Sequence, residues 1–500
     1  MSKNSPLSKT HQLLLALLLL WLIGWIFFSW AAVQDDAFIH LRYAENLLRT
    51  HQITYDGIHS NYGDSSLLYV HLLAFFAQFT PSPNLPRAVS SVAHVLLFVG
   101  LAWLLIRLVP AHSAVARLLG LVLLYLLVTP SAMRWLDDGM ETSLGLCFTA
   151  ALCWVASRHT EATVASYFAL TALAFCAVLL RPELAMLCAI VFVVLLASDS
   201  CRLLRSSHVL LGCSLALLFV YVRMHALLPD TALAKSNRSW LEVLSSTVNI
   251  LASSMSFGLG LLVLWIVTFV LVCRTGRSIA QALIANSVFP LVLLLAAFQG
   301  QQVQGARNLV WAYFFSTLWN ILELGQSQSA SQPNRRVLSL ATAFAILLLA
   351  VLPFESAAMA HVLRSRAWTL QLMEADRLET LAGQQGVAVD VGYIGYFSRA
   401  NLCDLAGLIN GRTAADLTNR ERDAVCAATH PSFLFLRADQ LRAFAPHIDI
   451  TGWQVCTQYD FVNLRTPDLH YLLLPSATAS ANCKQISPLA KPYPAADLLP

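Results

Sequence analysis

Two adjacent carboxylates, Asp35 and Asp36, follow an apolar run and open the segment Asp35-Asp36-Ala37-Phe38-Ile39-His40-Leu41-Arg42-Tyr43-Ala44-Glu45-Asn46-Leu47. Acids at a membrane boundary are costly to desolvate and tend to seek a cation, a metal or a substrate hydroxyl. Helical spacing puts Asp36, His40 and Tyr43 on one face; the structural alternative is a solvated helix cap, where Asp is favoured. Acidic groups recur in Arg134-Trp135-Leu136-Asp137-Asp138-Gly139-Met140-Glu141-Thr142, again beside an apolar run. Arg181-Pro182-Glu183 forms a turn between two apolar runs, which a surface ion pair would also explain. Asp230 and Lys235 share the stretch Leu228–Asn237, and Arg307 starts a later apolar run, where a lone Arg commonly anchors at the interface.

These residue types suit group transfer. A carboxylate can act as base or metal ligand toward an acceptor hydroxyl, while Arg and Lys hold a phosphate leaving group. A sugar linked through phosphate to a membrane lipid fits that arrangement, because the membrane delivers it where nucleotide sugars are absent. A divalent cation, if used, falls to Asp35 and Asp36, and no other cofactor is implied.

The elements that must position these residues are membrane helices. Of 500 residues, 57% are hydrophobic and 12% charged, against roughly 25% charged in soluble proteins. A helix rising 1.5 Å per residue needs about 20 apolar residues to cross roughly 30 Å of hydrocarbon. Such runs are His11–Ala32, Ala88–Val109, Ala114–Pro130, Thr142–Ala156, Val164–Leu180, Leu184–Ser198, His208–Val222, Ser254–Val272, Ala280–Phe298, Asn308–Leu324 and Val337–Pro353. The first is longer than the core of a signal peptide and reads as an uncleaved helix. Ser65–Thr80 is apolar but short and ends at Pro81. Laid flat in the interface, it leaves eleven spans and puts Arg158-His159, Arg202/Arg205, Arg274/Arg277 and Arg335-Arg336 in cytoplasmic loops, as the positive-inside rule requires. The N-terminus is then cytoplasmic, and the candidate residues and the C-terminal end share the opposite side. The net charge of +4 is too small to suggest a nucleic-acid partner.

Residues 1–354 read as the membrane domain, with a first outer loop over 33–87, and residues 355–500 as a small soluble α/β domain. In the latter, Gly386–Tyr393, Phe433–Leu436 and His470–Leu474 are strand candidates and Arg364–Leu381 a helix. Seven of eleven cysteines lie in or beside apolar runs; Cys403, Cys426, Cys456 and Cys483 lie in the tail, where two disulfides have three pairings. No CxxC or His/Cys cluster suggests zinc.

The segment Asp35–Leu47 resembles the first-loop signature of bacterial GT-C glycosyltransferases of the mycobacterial terminal β-(1→2) arabinofuranosyltransferase family. Tyr55-Asp56-Gly57 and Asn61-Tyr62-Gly63-Asp64-Ser65-Ser66-Leu67 resemble the elements that follow it. Gly139-Met140-Glu141-Thr142, Arg181-Pro182-Glu183, Leu228-Pro229-Asp230-Thr231 with Lys235, and the tail segments from Asp390 to Phe397 and Asp404 to Leu408 continue the likeness in order. The resemblance implies a GT-C fold of about eleven transmembrane helices, juxtamembrane helices in the first outer loop, and a C-terminal periplasmic domain in the bacterial inner membrane. It implies a polyprenyl-phosphate sugar donor, with arabinofuranose a candidate sugar, and a glycan, lipid or protein acceptor. Asp35 and Asp36 become the catalytic-base candidates. His40, Arg42, Tyr43, Asn46, Tyr62, Glu141, Arg181, Glu183, Asp230, Lys235, Arg307, Asp390 and Asp404 become candidates for donor or acceptor binding. This sequence departs from the pattern at Arg49-Thr50-His51-Gln52, which replaces a glycine turn, and lacks Pro after Ser65-Ser66. A lipid-sugar transporter, which would show repeated halves, and a non-catalytic envelope assembly protein are the competing readings.

Overall fold

Apolar helices dominate the chain before residue 328 because almost every turn there carries Leu, Val, Ala or Phe on all faces. The computed structural model describes residues 9–30, 33–110, 113–157, 163–198, 202–235, 239–274, 279–298, 305–327, 375–460, 469–488 and 491–498. The helices are α1 (Lys9–Phe28), α2 (Asp35–Thr50), α3 (Leu67–Ala77), α4 (Leu85–Leu108), α5 (Ala114–Leu127), α6 (Pro130–Leu136), α7 (Thr142–Ser157) and α8 (Val164–Leu180). They continue as α9 (Leu184–Ser198), α10 (Arg202–Met224), α11 (Asp230–Ala234), α12 (Trp240–Arg274), α13 (Ile279–Asn286), α14 (Val288–Phe298) and α15 (Gly305–Ser327).

By length and composition, Leu85–Leu108 and Leu203–Met224 could each cross a bilayer; the other apolar helical stretches among the described residues, parts of longer helices included, run 10–17 residues. Large apolar side chains nevertheless face outward along many helices, among them Leu20 (64% exposed), Phe27 (75%) and Leu96 (62%). An apolar exterior on that scale marks a membrane or partner surface. Helix α3 spans only 11 residues, about 16 Å at helical rise, too short for the hydrocarbon core. An apolar groove of about 1500 Å³, including its open mouth, runs between α3, α4 and α7, with Phe76, Leu97, Trp103 and Trp154 among its walls.

Two expected spans differ in extent. The run expected at Ser254–Val272 lies inside the 35-residue α12, which begins at Trp240. The run expected at Ala280–Phe298 divides into α13 and α14. Pro290 supplies no N–H and its ring clashes with the carbonyl four residues back, that of Asn286, where α13 ends. Asn286 is held by Trp265 Nε1, which donates to its Oδ1 at 2.6 Å, and by the Asn320 amide at 3.1 Å. The run Val337–Pro353 and the first part of the helix expected at Arg364–Leu381 lie outside the described residues; Ala375–Leu381 is a 3-10 helix.

The C-terminal part is an α/β unit on a six-stranded sheet, order β2-β1-β3-β5-β4-β6. The strands are β1 (Gln385–Ala388), β2 (Asn401–Asp404), β3 (Phe433–Arg437), β4 (Trp453–Asp460), β5 (Leu469–Pro475) and β6 (Tyr493–Pro494). β1 pairs in parallel with β2 and β3, and the remaining pairs are antiparallel. The strand expected at Gly386–Tyr393 stops at Ala388, and Gly392–Ser398 is helical. A Cβ at Gly392 would overlap the Asp35 carbonyl, so the glycine lets this helix start directly against α2.

Disulfides join Cys403 to Cys426 and Cys456 to Cys483, closing loops with sequence separations of 23 and 27. Removing one such cross-link by Cys456→Ser with Cys483→Ser is expected to destabilise the C-terminal unit by about 3 kcal/mol. Thermal unfolding of the full-length variant, with non-reducing peptide mapping of the parent, checks both pairing and cost.

Candidate active site

Helix α2 carries Asp35 and Asp36 in its first turn, where acids complement the positive end of the helix dipole. The loops after it are stitched back onto it. Asn46 Nδ2 donates to the Tyr55 carbonyl at 2.6 Å, Arg42 Nε to the same carbonyl at 3.3 Å, and Tyr43 Oη to Asn61 Oδ1. Asn61 in turn donates to the Ile409 carbonyl at 2.8 Å, reaching the C-terminal unit. Arg42, Tyr43 and Asn46 therefore shape the first loop, and none of them lines the cleft described below.

His40 is the hub of a buried ionic network. Its Nδ1 lies 2.6 Å from Asp64 Oδ2 and its Nε2 lies 3.2 Å from Glu141 Oε2. Glu141 Oε1 accepts from Arg181 Nε, and Arg181 Nη1 donates to Ser65 Oγ at 3.0 Å. Burial by itself would lower the His40 pKa, but the Asp64 and Glu141 carboxylates raise it to about 10. Burial likewise opposes the charge on Arg181, and Glu141 with Glu183 outweighs it, holding the guanidinium above its usual range. The loop bearing Glu141 is fixed by α4: His94 Nδ1 lies 3.1 Å from Asp137 Oδ1, and Gly139 N donates to Ser90 Oγ at 3.2 Å. Gly139, at φ +90°, makes the turn that packs against Ala37 and Val33.

Above this network opens a cleft of about 930 Å³, including its mouth. Asp36, His40, Asp64, Arg181, Glu183 and Lys235 line it, with Asn308 at the start of α15. The strand of chain leading to Lys235 is tied to the first loop by reciprocal contacts: Tyr62 N donates to Asp230 Oδ2 at 3.1 Å, and Asp230 N to the Tyr62 carbonyl at 2.8 Å. Tyr62 and Asp230 thus position the wall without lining it. Lys235 lines the cleft; its backbone N–H caps α11 on the Thr231 carbonyl, its side chain makes no hydrogen bond or ion pair among the described residues, and its charge helps hold Asp390 low. Arg307 lies in the first turn of α15, and its side chain falls outside the described atoms.

Asp35 has a different assignment from its neighbour. Its carboxylate accepts from the backbone N–H groups of Gly392 (2.9 Å) and Tyr393 (2.7 Å), holding the C-terminal unit against α2. Burial, the nearby Asp390 and then Asp36 raise its pKa to about 7, against the lowering effect of the two N–H groups. Asp390 is also desolvated, yet His470 Nε2 at 2.6 Å and Arg437 at 3.5 Å hold it below the usual carboxylate range. Asp404 accepts from the backbone of Ala406, Leu408 and Ile409 and so folds its own turn; burial still raises it to about 6. Asp390 and Asp404, expected to bind donor or acceptor, hold this interface and turn outside the cleft. The Asp35 carboxylate thus meets backbone while Asp36 lines the cleft. Among the described residues no three His, Cys, Asp or Glu side chains converge as metal ligands.

The sequence reading missed Asp64, Asn308 and the Asp390 partner His470. Asp64 had a local signal: the Gly63-Asp64-Ser65-Ser66 turn ahead of an apolar helix, in which Asp64 Oδ1 accepts from Ser66 N at 2.7 Å. Asn308 and His470 carried none, because only tertiary packing gives them partners.

The whole arrangement is similar to a solved structure, ArnT from Cupriavidus metallidurans bound to undecaprenyl phosphate. The TM-score is 0.56 and the identity 13%, over 97% of this chain and 100% of that one. No family model matches the sequence, and no curated protein matches it. At that identity the likeness speaks for architecture: the chain has the GT-C polytopic membrane fold.

Two outcomes are expected. Asp64→Asn leaves buried positive charge uncompensated and costs about 3–5 kcal/mol, whereas Asp64→Asn combined with His40→Gln costs less than the sum of the single changes; thermal unfolding in detergent measures the cycle. Because the Asp35 pKa is raised on folding, its contribution to docking is full below the ordinary carboxylate value and is lost as pH rises through about 7. Amide exchange at Gly392 and Tyr393, corrected for intrinsic rate, should lose protection over that rise in the parent and show no such step in Asp35→Asn.

Proposed function

We propose that this chain is a membrane glycosyltransferase that moves a sugar from a polyprenyl-phosphate donor to an acceptor hydroxyl on the periplasmic side of the bacterial inner membrane. The observation that carries the reading is the pairing within one cleft of a carboxylate at a helix start, Asp36, with Lys235, a cation whose side chain makes no hydrogen bond or ion pair among the described residues. The first-loop resemblance to mycobacterial terminal arabinofuranosyltransferases makes arabinofuranose the leading candidate sugar, and a glycan, lipid or protein the acceptor. The undecaprenyl phosphate in the ArnT structure, which shares this architecture, supports a lipid-phosphate donor. The apolar groove beside α4 suits an isoprenoid tail.

In this reading Asp36 accepts the proton of the acceptor hydroxyl as its oxygen bonds to the anomeric carbon. The bond from that carbon to the phosphate oxygen breaks, and its electron pair leaves with polyprenyl phosphate. Lys235, backed by the positive charge of Arg181, stabilises the phosphate as charge grows on it. The His40 network takes no proton in this step; its ion pairs keep Arg181 and the loops in place.

The test is release of polyprenyl phosphate by purified full-length protein given decaprenyl-phosphate arabinofuranose and an arabinan oligosaccharide, with undecaprenyl-phosphate glucose as a second donor. Asp36→Asn should slow transfer by about 10²–10⁴-fold and Lys235→Ala by about 10²-fold, both with unchanged unfolding temperature. Full activity in Asp36→Asn would overturn the assignment, and a carrier would move the lipid without releasing polyprenyl phosphate.

A further inference from the structure

The Arg181-Pro182-Glu183 turn places two opposite charges at the same cleft, and their surroundings differ. Arg181 is engaged by Glu141 and Ser65. Glu183 is 6% exposed, and its Oε2 is shielded from water with no hydrogen-bond partner among the described residues. The backbone N–H groups that follow it in the chain are already committed: Leu184 N donates to the Arg181 carbonyl, Ala185 N to the Pro182 carbonyl and Met186 N to the Glu183 carbonyl. Pro182 has no N–H to give. A buried carboxylate oxygen left without a donor is costly, and folded proteins seldom leave one so.

The missing partner is therefore a donor brought by a ligand in the cleft. It is not the phosphate, which a carboxylate repels and which Lys235 suits. We propose that Glu183 accepts a hydrogen bond from a hydroxyl of the sugar carried on the lipid phosphate, making it the residue by which the site distinguishes glycosylated lipid from bare lipid phosphate. This rests on the transferase reading. It gives the cycle a direction: when the sugar leaves for the acceptor, the Glu183 contact is lost and polyprenyl phosphate is held less tightly than the incoming donor.

The experiment is direct binding to full-length protein in detergent, without acceptor, of undecaprenyl phosphate, undecaprenyl-phosphate glucose and decaprenyl-phosphate arabinofuranose. The parent should bind one glycosylated lipid at least about tenfold more tightly than the bare lipid, the size of one hydrogen bond to a charged group. Glu183→Ala should erase that preference and leave bare-lipid affinity within about twofold of the parent. Glu183→Gln, which keeps an acceptor oxygen, should retain part of it and guards against a folding defect in the alanine variant. A preference that survives Glu183→Ala, its absence in the parent, or a parallel loss of bare-lipid affinity, as expected if Glu183 acts only through Arg181, would overturn the inference. If the preference is erased as expected but the parent releases no polyprenyl phosphate in the transfer assay, the recognition stands and the transferase reading fails.

Discussion

Asp64, His40, Glu141 and Arg181 come from four separate stretches of chain and share one water-poor spot. Each alone would be expensive to desolvate; together, with His40 held protonated by its two carboxylates, their formal charges cancel. The attraction is strong only when all four are assembled, so α2, the loop before α3, the turn before α7 and the turn between α8 and α9 must meet at one place. Breaking any member leaves an uncompensated charge. The remaining geometry of the cleft follows from that requirement, because Asp36 lies one helical turn before His40, and Glu183 lies two residues after Arg181.

The same economy separates two neighbouring acids. Successive residues on a helix point in directions about 100° apart, so Asp35 and Asp36 face different neighbours. Asp36 lines the cleft, while Asp35 meets the N–H groups of Gly392 and Tyr393. Further ties draw the C-terminal unit to the first loop: Tyr55 Oη donates to the Val391 carbonyl at 2.5 Å, Tyr396 Oη to Glu45 at 2.8 Å, and Arg399 pairs with Glu45 at 2.5 Å. The C-terminal unit thereby braces the loop that carries the proposed base, and Leu408 forms part of the cleft wall.

Much of this was legible in the amino-acid order. Apolar runs mark most of the helices, the short Ser65–Thr80 stretch contains the 11-residue α3, and residue type and spacing single out Asp36, His40, Arg181, Glu183 and Lys235, which line the cleft. What was not legible is what tertiary partners decide. A doublet of acids does not say which one meets a ligand and which meets backbone. The break at Asn286 follows from Pro290, a residue inside an otherwise uniform apolar run. β4 was not recognised, because Trp453-Gln-Val-Cys-Thr-Gln-Tyr-Asp460 has a bulge between Val455 and Thr457 that interrupts the alternation a strand usually shows. Arg42, Tyr43, Asn46 and Asp404 have chemically able side chains that backbone groups and neighbouring side chains engage.

The central claim is that the cleft above the His40 network holds a lipid phosphate against Lys235, with Asp36 at its side. A structure of the full-length protein with undecaprenyl phosphate tests it most directly. The account predicts a phosphate oxygen about 3 Å from Lys235 Nζ, within hydrogen-bond range, and the prenyl chain leaving the cleft toward the apolar helices. A phosphate seated elsewhere, with Lys235 and Asp36 facing an empty cleft, would contradict it.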